Sequence, residues 1–113
     1  MDRVVLVSPF KGDTPAKRSK YKKYLRRALQ DSIRNHDEAP FASHEMYTRA
    51  LDDNEIHDRN LGMKLLDEWM PLAQQMVVYA DFEITPGMRR DIEKGVGLRL
   101  PVVFRYINRR QSK

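Results

Sequence analysis

The chain contains no cysteine, which removes disulfides, thiol nucleophiles and iron–sulfur clusters together. Any covalent chemistry falls to oxygen or nitrogen. Long apolar runs are missing too, none approaching the roughly 20 residues that a membrane-spanning helix needs. The opening residues, Met-Asp-Arg-Val-Val-Leu-Val-Ser, lack the basic, apolar and small-residue regions of a signal peptide, so a cytoplasmic location with no membrane partner is expected. The three histidines, His36, His44 and His57, carry no ligand spacing, and neither a metal site nor a cofactor is expected. A length of 113 residues suits one core. The expectation is a single domain over residues 1–107 followed by a basic tail over 108–113.

Charge is abundant and uneven. The net +5 comes from a crowd formed by Lys17, Arg18, Lys20, Lys22, Lys23, Arg26 and Arg27, and from Arg105, Arg109, Arg110 and Lys113 near the end. Such a crowd reads first as a solvated helix face, and second as a surface for nucleic acid or an acidic host protein. No groove-reading motif accompanies it, and no alternation of aromatics with basic residues.

Residues 4–7 form a short β-branched run that ends at Ser8-Pro9-Phe10 and Gly12-Asp13, as a buried strand entering a loop does. Asp13 or Thr14 then caps a helix with Pro15 in its first turn. Tyr21, Tyr24, Leu25, Ala28, Leu29 and Ile33 recur at helical spacing, giving it one apolar face. Residues 39–42 suit a short strand and 43–51 a helical stretch, and Ile56, Met63, Leu66, Trp69 and Met70 mark a third helix. Residues 76–80 and 100–106 read as buried strands. Between them Thr85 and Pro86 start a helix over residues 86–97, with Met88, Ile92 and Val96 at four-residue steps.

This alternation predicts an α/β three-layer sandwich with a short, mainly parallel sheet of about four or five strands. In such sheets ligands bind beyond the carboxyl ends of the strands, where strand order reverses. Residues 8–13, 40–44 and 81–91 should converge there.

Several short motifs follow one order along the chain: Ser8-Pro9-Phe10 with Gly12-Asp13, Ala39-Pro40 with Ala42-Ser43-His44, Leu51-Asp52-Asp53, Arg59 with Gly62, and Gly87-Met88 with Asp91. Together they resemble a small phage and bacterial family related to the nucleoside 2-deoxyribosyltransferases, over about residues 4–104. The resemblance implies a flavodoxin-like topology and a nucleoside or nucleotide ligand. It also implies a homodimer or larger homo-oligomer, and the host cytoplasm if the protein is phage-encoded. In those transferases a glutamate near a helix start attacks the sugar carbon and displaces the base, much as in retaining glycoside chemistry. The acid follows Gly-Met, with a small residue four positions later and a strand soon after, and Asp91, Gly95 and Val102 fall on those steps. Here the acid is aspartate, one methylene shorter, and Arg89 and Arg90 separate it from Gly87-Met88.

Asp91 is accordingly either a nucleophile or a solvated helix residue paired with Arg89, Arg90 or Lys94. Asp81 either assists proton transfer or forms a turn. Ser8, Pro9, Gly12, Gly87 and Met88 are candidates to shape a phosphate or ribose site at strand-to-helix turns. Ser43 and His44 either contact a phosphate or base edge or cap a helix, while Phe10 is the aromatic placed to stack on a base, with Tyr47 and Tyr79 read as core. Leu51-Asp52-Asp53 reads as a cap for the following helix. Two functional classes remain open: an enzyme acting at an N-glycosidic bond, and a catalytically inactive nucleotide-binding or host-inhibiting factor of the same fold.

Overall fold

The computed structural model describes residues 1–52 and 54–108. Its elements are β1 (Asp2–Val7), α1 (Pro15–His36), β2 (Glu38–Phe41), α2 (Ser43–Met46), α3 (Ile56–Trp69), β3 (Gln75–Tyr79), α4 (Pro86–Gly97) and β4 (Val102–Arg105). Short 3-10 turns follow α2 at Tyr47–Arg49 and α3 at Met70–Leu72. The strands form one sheet in the order β2-β1-β3-β4, and every pairing is parallel. The architecture is the α/β sandwich with a parallel sheet that the alternation of elements predicts, with four strands. None of the described helices is long and apolar enough to cross a membrane.

Alternation along the central strands assigns the layers. Val4, Leu6, Val77 and Tyr79 pack with Tyr24, Leu25 and Ala28 of α1. Val5, Val7, Met76 and Val78 pack with Leu66 of α3, Met70 and Met88 of α4. Residues 4–7 of β1 and 76–79 of β3 therefore alternate between the two cores, as period-two side-chain alternation requires.

Helix α1 starts where Thr14 accepts from the Lys17 amide at 3.1 Å and Pro15 opens the first turn. It ends at Asp37, whose φ of 53° is left-handed. Its buried stripe differs from the predicted one: Ile33 is 49% exposed, whereas Ser32 is fully buried. The reason is polar. Ser32 Oγ donates to Glu38 Oε1 at 2.8 Å, and Gln75 Nε2 donates to Glu38 Oε2 at 2.9 Å. Arg105 grips the same carboxylate with both terminal nitrogens, at 2.8 and 2.7 Å. Burial alone would raise the Glu38 pKa, but the hydrogen bonds from Arg105 and Ser32 overcome it and hold the carboxyl below its usual range. The network joins the two edge strands to α1 and β3.

Other predicted details shift. The stretch after Ser43 is one short helix and a 3-10 turn rather than a helix to Leu51. On α3, Ile56 and Trp69 are about half exposed, Trp69 stacking on Phe41 with ring centroids 5.5 Å apart. The α3 cap is Glu55, which accepts from the Asp58 amide at 3.1 Å. Asp52 instead bonds the Asn54 amide at 3.0 Å, and Asp53 lies outside the described residues. On α4 the four-residue pattern stops short, because Val96 is 60% exposed and Gly95 takes the buried place, its absent Cβ leaving room for Met76 Cε. Beyond β4, the Asn108 amide bonds Asp81 Oδ2 at 2.8 Å, and the rest of the predicted basic tail lies outside the described residues.

Removing one half of the buried ion pair leaves the other charged and unpaired. Arg105→Met is expected to cost about 3–5 kcal/mol of unfolding free energy in urea titrations. Adding Glu38→Gln to that variant should restore most of the loss, because the stranded charge is then gone. Equal losses in the single and double variants would show that the pair's contribution is packing rather than charge.

Candidate functional site

The strand order reverses between β1 and β3: from β1 the chain runs outward to β2, then returns to the other side of β1 and continues to β4. The loops leaving β1 and β3 must diverge at their carboxyl ends, and a cleft of about 600 Å³ opens there. Phe10, Gly12 and Asp13 line it from the first loop, and Ser43, His44, Tyr47 and Thr48 from the segment after β2. Glu83 through Asp91 contribute Glu83, Thr85, Pro86, Gly87, Met88, Arg90 and Asp91, and α3 supplies a fourth wall with Asp58, Arg59, Gly62, Met63 and Leu66.

The turn into α4 is built by its own sequence. Thr85 Oγ1 accepts from the Met88 amide at 3.2 Å, and the Thr85 amide reaches back to Met88 Sδ at 3.5 Å, a capping box with a thioether in the usual place of a carboxylate. Pro86 occupies the first turn. Gly87 has no atom nearer its missing Cβ than Thr85 Oγ1 at 4.0 Å, so its backbone faces open space at a helix start.

Asp91 sits one turn further along, half-buried. Two of the three basic neighbours that would pair with it on a solvated helix hold other partners: Lys94 Nζ meets Asp67 Oδ1 at 2.7 Å, and Arg90 Nη1 donates to Met63 Sδ at 3.1 Å. The Asp91 carboxylate makes no hydrogen bond or ion pair with the described residues. Burial pushes its pKa up to about 6, against opposing pulls from Lys94 and Arg90 and with a small further push from Asp67. The favourable field of a helix start fades within its first turn, so α4 does little to keep this carboxylate ionised.

Phe10 and His44 come from different loops and stack face to face, with centroids 4.7 Å apart and planes 8° from parallel. Lys17 bridges Asp13 at 3.6 Å and Glu83 at 4.0 Å, tying the first turn of α1 to the loop after β3. Gly12 is required for this closeness, since a Cβ there would lie 2.8 Å from Lys17 Cβ and 2.9 Å from the Arg18 amide nitrogen.

Of the residues singled out in the sequence, Phe10, Gly12, Ser43, His44, Gly87, Met88 and Asp91 meet in this cleft. Three do not. Ser8 and Pro9 are buried and do not line it, because the chain stays under cover for two residues beyond β1 and emerges only at Phe10. Asp81 is spent on structure: its carboxylate accepts from the Tyr24 hydroxyl and from the Ile107 amide at 2.9 Å, besides the Asn108 amide. It fastens the loop after β3 to α1 and to the end of β4. Conversely, Asp58, Met63 and Glu83 line the cleft without having been singled out as ligand contacts, and so does Tyr47, an aromatic weighed for stacking on a base but read as core. The spacing of Asp58, Arg59, Gly62 and Met63 already put them on one side of α3, but not facing the ligand side of the sheet.

With the site described, likeness to other proteins can be placed. A family model described as a domain of unknown function, DUF7768, matches residues 2–105. No curated protein matches the chain. Among solved structures it is similar to a 2-deoxyribosyltransferase from the psychrotolerant bacterium Bacillus psychrosaccharolyticus, with a TM-score of 0.70 and 18% identity, over 92% of this chain and 72% of that one. At this identity the likeness is one of fold.

A carboxyl whose folded-state pKa lies above its ordinary value favours the fold when protonated, and stability declines as pH rises through that window. Asp91→Asn is therefore expected to melt higher than the wild type at pH 8, by about 3 °C or more. The advantage should shrink as pH falls through about 6 and vanish near the ordinary 3.8. A pH-independent difference in thermal scans would mean that Asp91 is not desolvated.

Proposed function

This chain belongs to the DUF7768 family, and we propose that its cleft holds a nucleoside or nucleotide and that Asp91 acts on the N-glycosidic bond. The observation that carries this reading is the Asp91 carboxylate itself, desolvated and unpaired inside the cleft at the point where strand order reverses. The likeness in fold to a 2-deoxyribosyltransferase supports the choice of ligand.

In this reading an Asp91 oxygen attacks C1′ of the sugar and forms an ester bond. The C1′–N bond breaks, its electron pair leaves with the base, and the base takes up a proton. Water or a second base then attacks C1′ and frees the carboxylate. Phe10 and His44 offer a flat aromatic surface for the base, and the Gly87 backbone lets the ligand approach α4 closely. No metal or cofactor takes part in this scheme.

A second reading keeps the ligand and removes the turnover. An aspartate is one methylene shorter than the glutamate of the transferases, and an attacking atom displaced by about 1 Å loses roughly 100-fold in rate. A phage or bacterial factor that binds a nucleotide without cleaving it, acting alone or as a homo-oligomer, fits the same cleft.

Incubation with a panel of nucleosides, deoxynucleosides and their monophosphates separates the two. Release of free base by chromatography, abolished in Asp91→Ala, is the expected result. The rate should climb with pH through about 6 and level above it, because attack needs the ionised carboxylate. Saturable binding with no base released would establish the second reading instead.

A further inference from the structure

Four bases (Lys11, Lys17, Arg59 and Arg90) and four acids (Asp13, Asp58, Glu83 and Asp91) line the cleft, but they do not all pair with one another. On the side of the first loop, Lys17 satisfies Asp13 and Glu83. Asp58, on α3, accepts the Asp52 amide at 2.9 Å and so closes the turn before its own helix. Two guanidinium groups are left over. Arg59 lines the cleft and its side chain makes no hydrogen bond or ion pair with the described residues. Arg90 lines it too, and its hydrogen bond is to the sulfur of Met63.

A thioether is a weak acceptor, whereas a guanidinium presents five donors in a planar fork. Arg90 is thus held in place while most of its hydrogen-bonding capacity stays unspent. Its position is also informative. Met63 stands four residues after Arg59, one turn along the same face of α3. Arg90 reaches from α4 to Met63, so an arginine from each of two helices lines the same cleft. The Gly87 backbone at the start of α4 adds a favourable field for negative charge to that wall.

We infer that Arg59 and Arg90 form a phosphate clamp, and that the ligand of this cleft is a nucleoside 5′-monophosphate rather than a free nucleoside. The inference rests on the nucleoside reading of the cleft and specifies its substrate class. Paired forks suit the planar oxygen pairs of a phosphate and bind it bidentately. The aromatic pair Phe10 and His44 comes from the segments after β1 and β2 rather than from α3 and α4, so in this inference base and phosphate are held by different elements. A free nucleoside would bring neither guanidinium group an anionic partner of its own.

The test is calorimetric titration of the full chain with deoxynucleosides and their matching 5′-monophosphates, repeated for Arg59→Gln, Arg90→Gln and the double variant. The ratio of the two affinities is what is read. In the wild type the monophosphate should bind at least about tenfold tighter. Each single variant should cut that ratio, the double variant should bring it near one, and added salt should lower it in the wild type. Equal affinities in the wild type, or a preference that survives the double variant, would overturn the clamp while leaving nucleoside binding standing. Absence of binding by either form would overturn the clamp and the proposed function together.

Discussion

A parallel sheet buries both faces of its central strands, and this constraint organises the whole molecule. Each strand of the sheet runs the same way, so each return must cross over outside the sheet, and the crossing segments become its covering layers. Helix α1 covers one face, and α3 with α4 the other. What remains free is the carboxyl end of the sheet, where the loops after β1 and β3 part company. The cleft is a consequence of that topology before any side chain is considered. Its precision depends on polar fastenings beneath it: the Glu38 and Arg105 pair across the edges of the sheet, and Asp81 holding the loop after β3 to α1.

Within the cleft, the energetics of Asp91 run against stability. Two of its potential partners are diverted, Lys94 to Asp67 and Arg90 to Met63, and burial raises its pKa. A sequence selected only for stability would pair this carboxylate or replace it, and this isolation is what supports the role proposed for it. The same diversion of Arg90 leaves a positive charge facing the opening. One local arrangement, a thioether in place of a carboxylate under Arg90, thus accounts for both an unpaired acid and an under-used base.

Much of the fold was legible from the sequence because local signals there agree with tertiary need. Thr85 and Pro86 mark the start of α4, and the residues from Pro86 to Gly97 form the helix that their spacing predicts. Thr14 and Pro15 do the same for α1. Where readings moved, a long-range partner was responsible. Ser32 displaces Ile33 from the buried stripe because Glu38 needs a donor, and Glu38 lies on another element. Asp81 looks like a turn acid with a free side chain until Tyr24 and the chain beyond β4 are brought beside it. Ser8 looks aimed at the cleft until the path of the chain after β1 is known. Arg59 and Gly62 of the α3 wall were noted in the sequence but not placed, for the same reason: periodicity identifies a helix and its faces, but not which end of the sheet a face will close. At Asp91 the residue was legible and its state was not, because neighbouring cations in sequence suggested pairing that the geometry withholds.

The account turns on Asp91 being desolvated and unpaired, and a titration of its side-chain carboxyl carbon by nuclear magnetic resonance tests this most directly. An apparent pKa of about 6 is expected. A value at or below the ordinary aspartate value of 3.8 would mean that the carboxylate is solvated or paired, and would remove the physical basis for assigning it a role in the cleft.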